Sequence, residues 1–219
     1  MVERGMNHGL PRVFDLLVAA TGLILTAPLL AVSAVLIKVT SHGPVIFRQE
    51  RVGRAGRKFT LFKLRTMSAN SGSLITAAND SRVTPIGRIL RRYKIDEVPQ
   101  LWNVVRGEMS IVGPRPEVPA FVNLKDPYWA EILTCRPGLT DPVTLKLRNE
   151  EQLLADSHAD DSFYTAVLQP YKLKGYLDFV RHRTWRADLM VIYRTVLAVV
   201  LPRSAVPPTK DEMLLSLAK

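Results

Sequence analysis

From Leu16 to Ile37 the chain carries 22 consecutive residues without a charge. As straight helix they extend about 33 Å, enough to cross a hydrocarbon core. Whatever else the chain folds into, it must find an apolar medium for this segment. The plain reading is a single transmembrane helix. A cleaved signal peptide fits less well, because the run is longer and more apolar than an h-region. Two features oppose a simple span. Pro28 lies near the middle, where it removes a backbone donor and bends a helix. Basic residues flank both ends: Arg4 and Arg12 before, then Lys38, Arg48, Arg51, Arg54, Arg57 and Lys58 after. The positive-inside rule cannot place both flanks in the cytoplasm if the helix crosses, but can if it enters, bends and returns. On these residues alone, spanning and re-entrant helices stand level.

The charge balance narrows the partners. The chain has 219 residues, a formal net charge of +10 and a pI near 10.0. One compact domain plus a membrane segment is the natural count. Such a balance suits a polyanion: anionic lipid, nucleotide phosphate or nucleic acid. No nucleic-acid-binding motif is visible and aromatics are only 7%, so nucleic acid is not expected. The single cysteine, Cys135, rules out an intrachain disulfide. The four histidines, His8, His42, His158 and His182, have no metal-ligand spacing.

Beyond the apolar run the pattern changes. Pro44–Gln49 and Lys58–Lys63 read as two short strands joined by a turn at Gly53-Arg54-Ala55-Gly56. The GxxG spacing there also suits a phosphate cradle, though a hairpin turn is the simpler reading. Ser68 to Arg82 reads as a polar loop. Thr84-Pro85 opens a helix, with Thr84 as N-cap and Pro85 at the first helical position. Ile86, Ile89, Leu90 and Tyr93 give it an apolar face; Arg88, Arg91, Arg92 and Lys94 make the other side basic. Asp96 and Glu97 then start a further helix carrying Val98, Leu101, Trp102, Val104 and Val105, with Gly107 as its stop. Glu150 to Asp161 reads as an acidic surface helix and loop. Trp185 to Leu201 reads as a helix with Leu189, Ile192, Tyr193, Val196, Val199 and Val200 on one side and Pro202 as its end. That side suits either a core or a membrane interface. A short tail with one amphipathic turn follows.

The adjacent carboxylates carry the chemical signal. A carboxylate in the first turn of a helix feels the positive dipole end, which favours the ionised form. An ionised Asp is a nucleophile toward phosphorus, and a neighbouring Glu is a Mg²⁺ ligand. Asp-Glu at a helix start is also an ordinary capping arrangement. Capping leaves unexplained the basic stripe just before the pair and the rigid Pro114-Arg115-Pro116 turn after it.

Four motifs occur in a set order: Lys63-Leu64-Arg65-Thr66-Met67, Asp96-Glu97-Val98-Pro99-Gln100-Leu101-Trp102-Asn103, Gly113-Pro114-Arg115-Pro116 and Arg136-Pro137-Gly138-Leu139-Thr140. From about Phe14 to about Pro202 the chain resembles the bacterial sugar transferases, the small monotopic phosphoglycosyl transferases. That resemblance implies a mostly helical α+β protein. It would have an N-terminal re-entrant membrane helix (1–40), a small cytoplasmic catalytic domain with a short β-hairpin and interfacial helices (41–202), and a tail (203–219). It implies transfer of a sugar 1-phosphate from a UDP-sugar to a polyprenyl phosphate at the cytoplasmic face of the bacterial inner membrane, with release of UMP. By the same carry-over Asp96 is the nucleophile, forming a covalent phosphosugar intermediate, and Glu97 holds Mg²⁺. Arg91 clamps phosphate, Arg115 faces the nucleotide or its phosphates, and Lys63 and Arg65 meet the lipid or sugar phosphate. The family's anchor bends at a Ser-Pro pair. Here the pair is Ala27-Pro28, which keeps the proline and loses the serine. The resemblance favours the re-entrant form. Thr140-Asp141-Pro142 departs from the commoner family pattern and leaves the sugar open. The alternative from another class is a non-catalytic scaffold that binds anionic lipid.

Overall fold

The computed structural model describes residues 9–68, 80–148, 150–156, 163–201 and 208–217. Most of the expected polar loop, His8, His158, the end of the acidic segment, Pro202 and part of the tail lie outside the described residues. The architecture is mostly helical α+β, as expected. In chain order come α1 (Arg12–Thr40), β1 (Ile46–Val52), β2 (Lys58–Leu64), α2 (Pro85–Arg92), α3 (Gln100–Val105), β3 (Ser110–Val112), α4 (Pro127–Ile132), β4 (Gly138–Thr140), α5 (Pro142–Lys146) and α6 (Glu150–Asp156). A single π-helical turn (Tyr164–Leu168) leads into α7 (Gln169–His182), and α8 (Trp185–Val200) and α9 (Lys210–Leu217) follow.

The local signals act where expected. β1 and β2 pair antiparallel from Ile46↔Leu64 to Val52↔Lys58. The Thr84 hydroxyl accepts from the Gly87 N–H at 3.0 Å and Pro85 opens α2. Gly107 takes φ +84°, a left-handed conformation that ends the helical segment. The apolar faces are only partly buried. On α2 only Gly87 and Leu90 are buried, while Ile89 and Tyr93 are exposed. On α8 the buried residues are Asp188, Val191 and Ala198. Leu189, Tyr193, Val196 and Val200 of the expected apolar side face outward. The hydrophobic stripe marked an apolar surface correctly but not which medium it meets.

α1 runs unbroken for 29 residues through Pro28, with only 11% of its most apolar window buried. Its two ends nevertheless dock on the same body. Near the start, buried Asp15 accepts from the Ser110 hydroxyl at 2.9 Å and from the Ile111 N–H at 2.9 Å. Ala19 packs into a core with Leu101, Val104, Met109 and Ile111. The Arg12 guanidinium donates to the Val104 and Met109 carbonyls. Near the end, Ile37 is fully buried against Leu64 and Leu90. Between these anchors Ile24 and Leu25 are more than 70% exposed.

A second core joins α4, α5, α7 and α9 through Trp129, Ile132, Val143, Leu168, Tyr176 and Met213. Met213 is fully buried, which stabilises the docking of α9 by about 1.5–3 kcal/mol. One element the sequence did not announce is the parallel pairing of β3 with β4, Ser110↔Gly138 and Val112↔Thr140.

Candidate active site

β3 and β4 bring two of the motifs into one structure. Gly113 donates its N–H to Thr140 O at 3.0 Å, and Gly138 donates to Pro114 O at 2.9 Å. A Cβ on either glycine would collide with the other motif's backbone. Only glycine permits that approach, which explains why Gly-Pro-Arg-Pro and Arg-Pro-Gly-Leu-Thr occur together. Arg136 donates from Nε to Gly107 O at 3.0 Å and ties the same bridge to the end of α3.

The Asp-Glu pair sits differently from expectation. Asp96 and Glu97 lie in a short 3₁₀ turn, Ile95–Glu97, entered through Lys94 at φ +57°. α3 begins only at Gln100, behind Pro99, and has no side-chain cap. Neither carboxylate therefore caps α3, which removes the capping explanation. It also removes the helix terminus as the source of their ionisation. Their states are set by burial and by partners instead. Burial, followed by the charge of Glu97, pushes the Asp96 carboxyl up from its ordinary value, while Lys63 and Lys94 oppose this. The expectation that Asp96 is held readily ionised is thus corrected. Glu97 goes the other way: burial would raise it, but Arg115 and Lys63 together hold it well below the usual carboxylate range.

Three expected site residues meet directly. Arg115 binds Glu97 with two charge-assisted hydrogen bonds, Nη2 to Oε1 at 2.6 Å and Nη1 to Oε2 at 3.2 Å. Lys63, at the end of β2, donates to Glu97 Oε1 at 3.1 Å. The Oδ1 of Asp96 is buried and has no hydrogen-bond partner among the described residues. All of these line one cavity of about 1360 Å³, which Arg91 and Arg65 also border.

Arg91 is held by Thr66 Oγ1 at 2.9 Å and by Glu151 at 3.0 Å. Arg88 and Arg92, from the same basic stripe, are exposed. Arg65 has a second engagement. Its guanidinium donates to Ser41 O and Oγ, each at 2.8 Å, and to His42 O, where α1 ends. Pro28 stands exposed on α1, away from this cluster.

Sequence reasoning missed a second group of charged residues that line the same cavity. Lys172 donates to Glu150 at 2.7 Å and lies 3.7 Å from Glu117. The Tyr164 hydroxyl donates to Glu117 at 3.3 Å, and Arg51 donates to Pro116 O at 2.9 Å. Burial tends to discharge Lys172, yet Glu150 and Glu117 hold its pKa well above the ordinary lysine range. A signal was present: Lys172, Tyr176, Phe179 and Val180 recur at helical spacing on the buried stripe of α7. A lysine on such a stripe needs a buried acid, and Glu117 follows the Pro-Arg-Pro turn directly.

The profile of the bacterial sugar transferase family matches residues 6–202, and the chain belongs to that family. Among curated relatives it is 38% identical over 192 residues to the UDP-glucose:undecaprenyl-phosphate glucose-1-phosphate transferase of Caulobacter vibrioides, covering 84% of this chain and 67% of that protein. It is 32% identical over 205 residues to the UDP-N-acetylgalactosamine-undecaprenyl-phosphate N-acetylgalactosaminephosphotransferase of Aeromonas hydrophila, covering 91% of this chain. It is 32% identical over 212 residues to the exopolysaccharide production protein ExoY of Rhizobium meliloti, covering 89% of this chain and 87% of that one. The chain spans only 44% of the Aeromonas protein's length.

Proposed function

We propose that this chain transfers a sugar 1-phosphate from a UDP-sugar to a polyprenyl phosphate, of the undecaprenyl type, at the cytoplasmic face of the bacterial inner membrane. The carrying observation is the buried Asp96-Glu97 pair set among Lys63, Arg91, Lys94 and Arg115 in one cavity. The names of the relatives supply the substrate classes. In this reading the Asp96 carboxylate attacks the β-phosphorus of the donor. The bond from that phosphorus to the bridging oxygen breaks, and UMP leaves with the electron pair. A phosphate oxygen of the lipid then attacks the aspartyl phosphosugar, releasing free Asp96 and the sugar-diphosphate lipid. Lys63, Arg91 and Arg115 stabilise charge developing on the phosphoryl oxygens.

Mg²⁺ belongs to the same proposal. Among the described residues no three metal-ligating side chains cluster, but Mg²⁺ commonly takes one or two carboxylates and completes its shell with water and substrate phosphates. The unpartnered Asp96 Oδ1 and its neighbour Glu97 fit that donor set. When bound, the ion would neutralise phosphate charge that repels the attacking carboxylate. Glu97 would hold it, with Lys63 and Arg115 freed to meet phosphate.

A re-entrant α1 is supported by its docking. Asp15 and Ile37 stand 22 residues apart, about 33 Å along a straight helix, yet both bury in one body. The exposed apolar residues between them, with those of α8, would lie in lipid and at its interface.

The test is incubation with the cognate UDP-sugar and Mg²⁺ but no lipid. At most one equivalent of UMP per site is expected, with a mass gain of one sugar phosphate on the peptide containing Asp96. Polyprenyl phosphate then discharges it. UMP release only when both substrates are present, with ternary-complex kinetics, overturns the covalent route.

A further inference from the structure

The cavity lining has two parts of different charge. Around the dyad Lys63, Arg91, Lys94 and Arg115 outnumber Asp96, Glu97 and Glu151. Beside them on the same cavity lining, Arg51 and Lys172 are matched by Glu117 and Glu150, so that part of the wall is formally neutral. It is also buried: the Lys172 and Glu117 side chains are each 7% exposed, with Arg51 at 19% and Glu150 at 26% forming its cavity edge. Ion networks this buried carry a desolvation cost that apolar packing would avoid. Their presence on a cavity wall points to a ligand rather than to stability alone. A neutral surface presenting both fixed donors and fixed acceptors does not suit phosphate. It suits hydroxyl groups, which donate and accept at once.

The neutral wall begins within two residues of the phosphate clamp. Arg115 holds Glu97, Arg51 holds the carbonyl of Pro116, and Glu117 carries the network onward. Arg115 precedes a proline, which keeps its backbone extended. Two residues of extended chain advance about 6–7 Å. In a UDP-sugar the ring is bonded directly to the β-phosphate, whereas the uridine stands one phosphate further away. The sugar also stays in the site through both half-reactions while UMP departs. A buried, pre-bonded wall suits the part that stays.

We infer that Arg51, Glu117, Glu150 and Lys172 form the subsite that recognises the sugar hydroxyls of the donor, and so set which sugar is transferred. This rests on the UDP-sugar reading above. Glu150→Gln is the leading variant, because it keeps the shape and an acceptor oxygen at the cavity edge. Arg51→Gln is the second. The full chain in nanodiscs is assayed for UMP release from a panel of UDP-sugars with polyprenyl phosphate, and for inhibition by UDP, which lacks the sugar.

The expected result is a rise of about tenfold or more in KM for the preferred UDP-sugar, as for loss of a hydrogen bond to a charged group. The preference among sugar epimers should change as well, with the UDP inhibition constant within about twofold of the parent. Parallel weakening of UDP and UDP-sugar overturns the inference, because the wall then serves the nucleotide or only the fold. So does an unchanged KM with unchanged sugar preference. If one variant loses its cooperative melt, the other carries the test, with the same outcomes read. Wild-type protein that releases no UMP from any UDP-sugar overturns the underlying reading as well. Loss of the inference alone leaves wild-type turnover intact.

Discussion

The attachment of α1 to the catalytic body can be tested at one side chain. Asp15, 4% exposed, accepts from the Ser110 hydroxyl and the Ile111 N–H, both at 2.9 Å. Asp15→Ala leaves two buried donors without an acceptor. Each such donor costs about 1–3 kcal/mol, so the expected loss is about 2–6 kcal/mol, a large share of a typical domain's stability. Asp15→Asn keeps one acceptor oxygen and should lose about half as much. The assay is the denaturant midpoint of the full chain in micelles, converted with the parent's slope. Donor KM is measured alongside, because β3 leads directly into Gly113 and Arg115. The expected order is parent, Asn, Ala in falling stability, with KM rising in the same order. An Ala variant within about 0.5 kcal/mol of the parent, the range of ordinary surface changes, would refute the role of Asp15 in docking. Equal losses for Asn and Ala would show that charge, not hydrogen-bond count, holds the helix.

Asp96→Asn should reduce turnover to background. In the parent, UMP release should rise with pH through a midpoint above the ordinary aspartate value of 3.8, since burial and Glu97 raise the folded pKa. The same shift fixes the sign for stability. The folded chain binds this proton more tightly than the unfolded chain, so the Asp96 contribution falls as pH rises through that window. Asp96→Asn should therefore melt above the parent at pH 7, with the gap closing in acid; a lower melt at pH 7 contradicts the assignment. Glu97→Gln should cut activity, with partial recovery in excess Mg²⁺, and UMP release independent of Mg²⁺ would exclude the metal role. For a re-entrant α1, tags at Met1 and Lys219 are both shielded from a reagent outside intact cells. Pro28→Ala should expose the first tag by favouring a spanning helix, and labelling of the parent's N-terminal tag would sink the re-entrant reading.

The extent of the apolar helix, the hairpin, the Thr84 cap and the Gly107 stop were legible because each depends on neighbours a few residues apart. Turn chemistry, capping and hydrophobic period are local properties. The candidate nucleophile and its cationic surroundings were legible through ordered motifs, since Lys63, Arg91, Asp96, Glu97 and Arg115 line one cavity. Local reading left the outcome open where it depended on remote partners. The outward side of α8 and the two exposed apolar positions of α2 follow from what packs against those helices. The tie from Arg65 to the end of α1 depends on where α1 returns to the body.

The sequence by itself determined the apolar helix, the hairpin, the helices that open at Thr84 and Trp185, and the types of residue available for phosphate chemistry. Only the tertiary structure decided their states. It separates Asp96 and Glu97, adjacent in the chain, into one carboxyl raised by burial and one lowered by Arg115 and Lys63. It brings Lys172 against Glu117 across 55 positions of sequence. Desolvation and charge pairing act through space, over a few ångströms between side chains far apart along the chain. Periodicity and spacing record only what lies nearby on it.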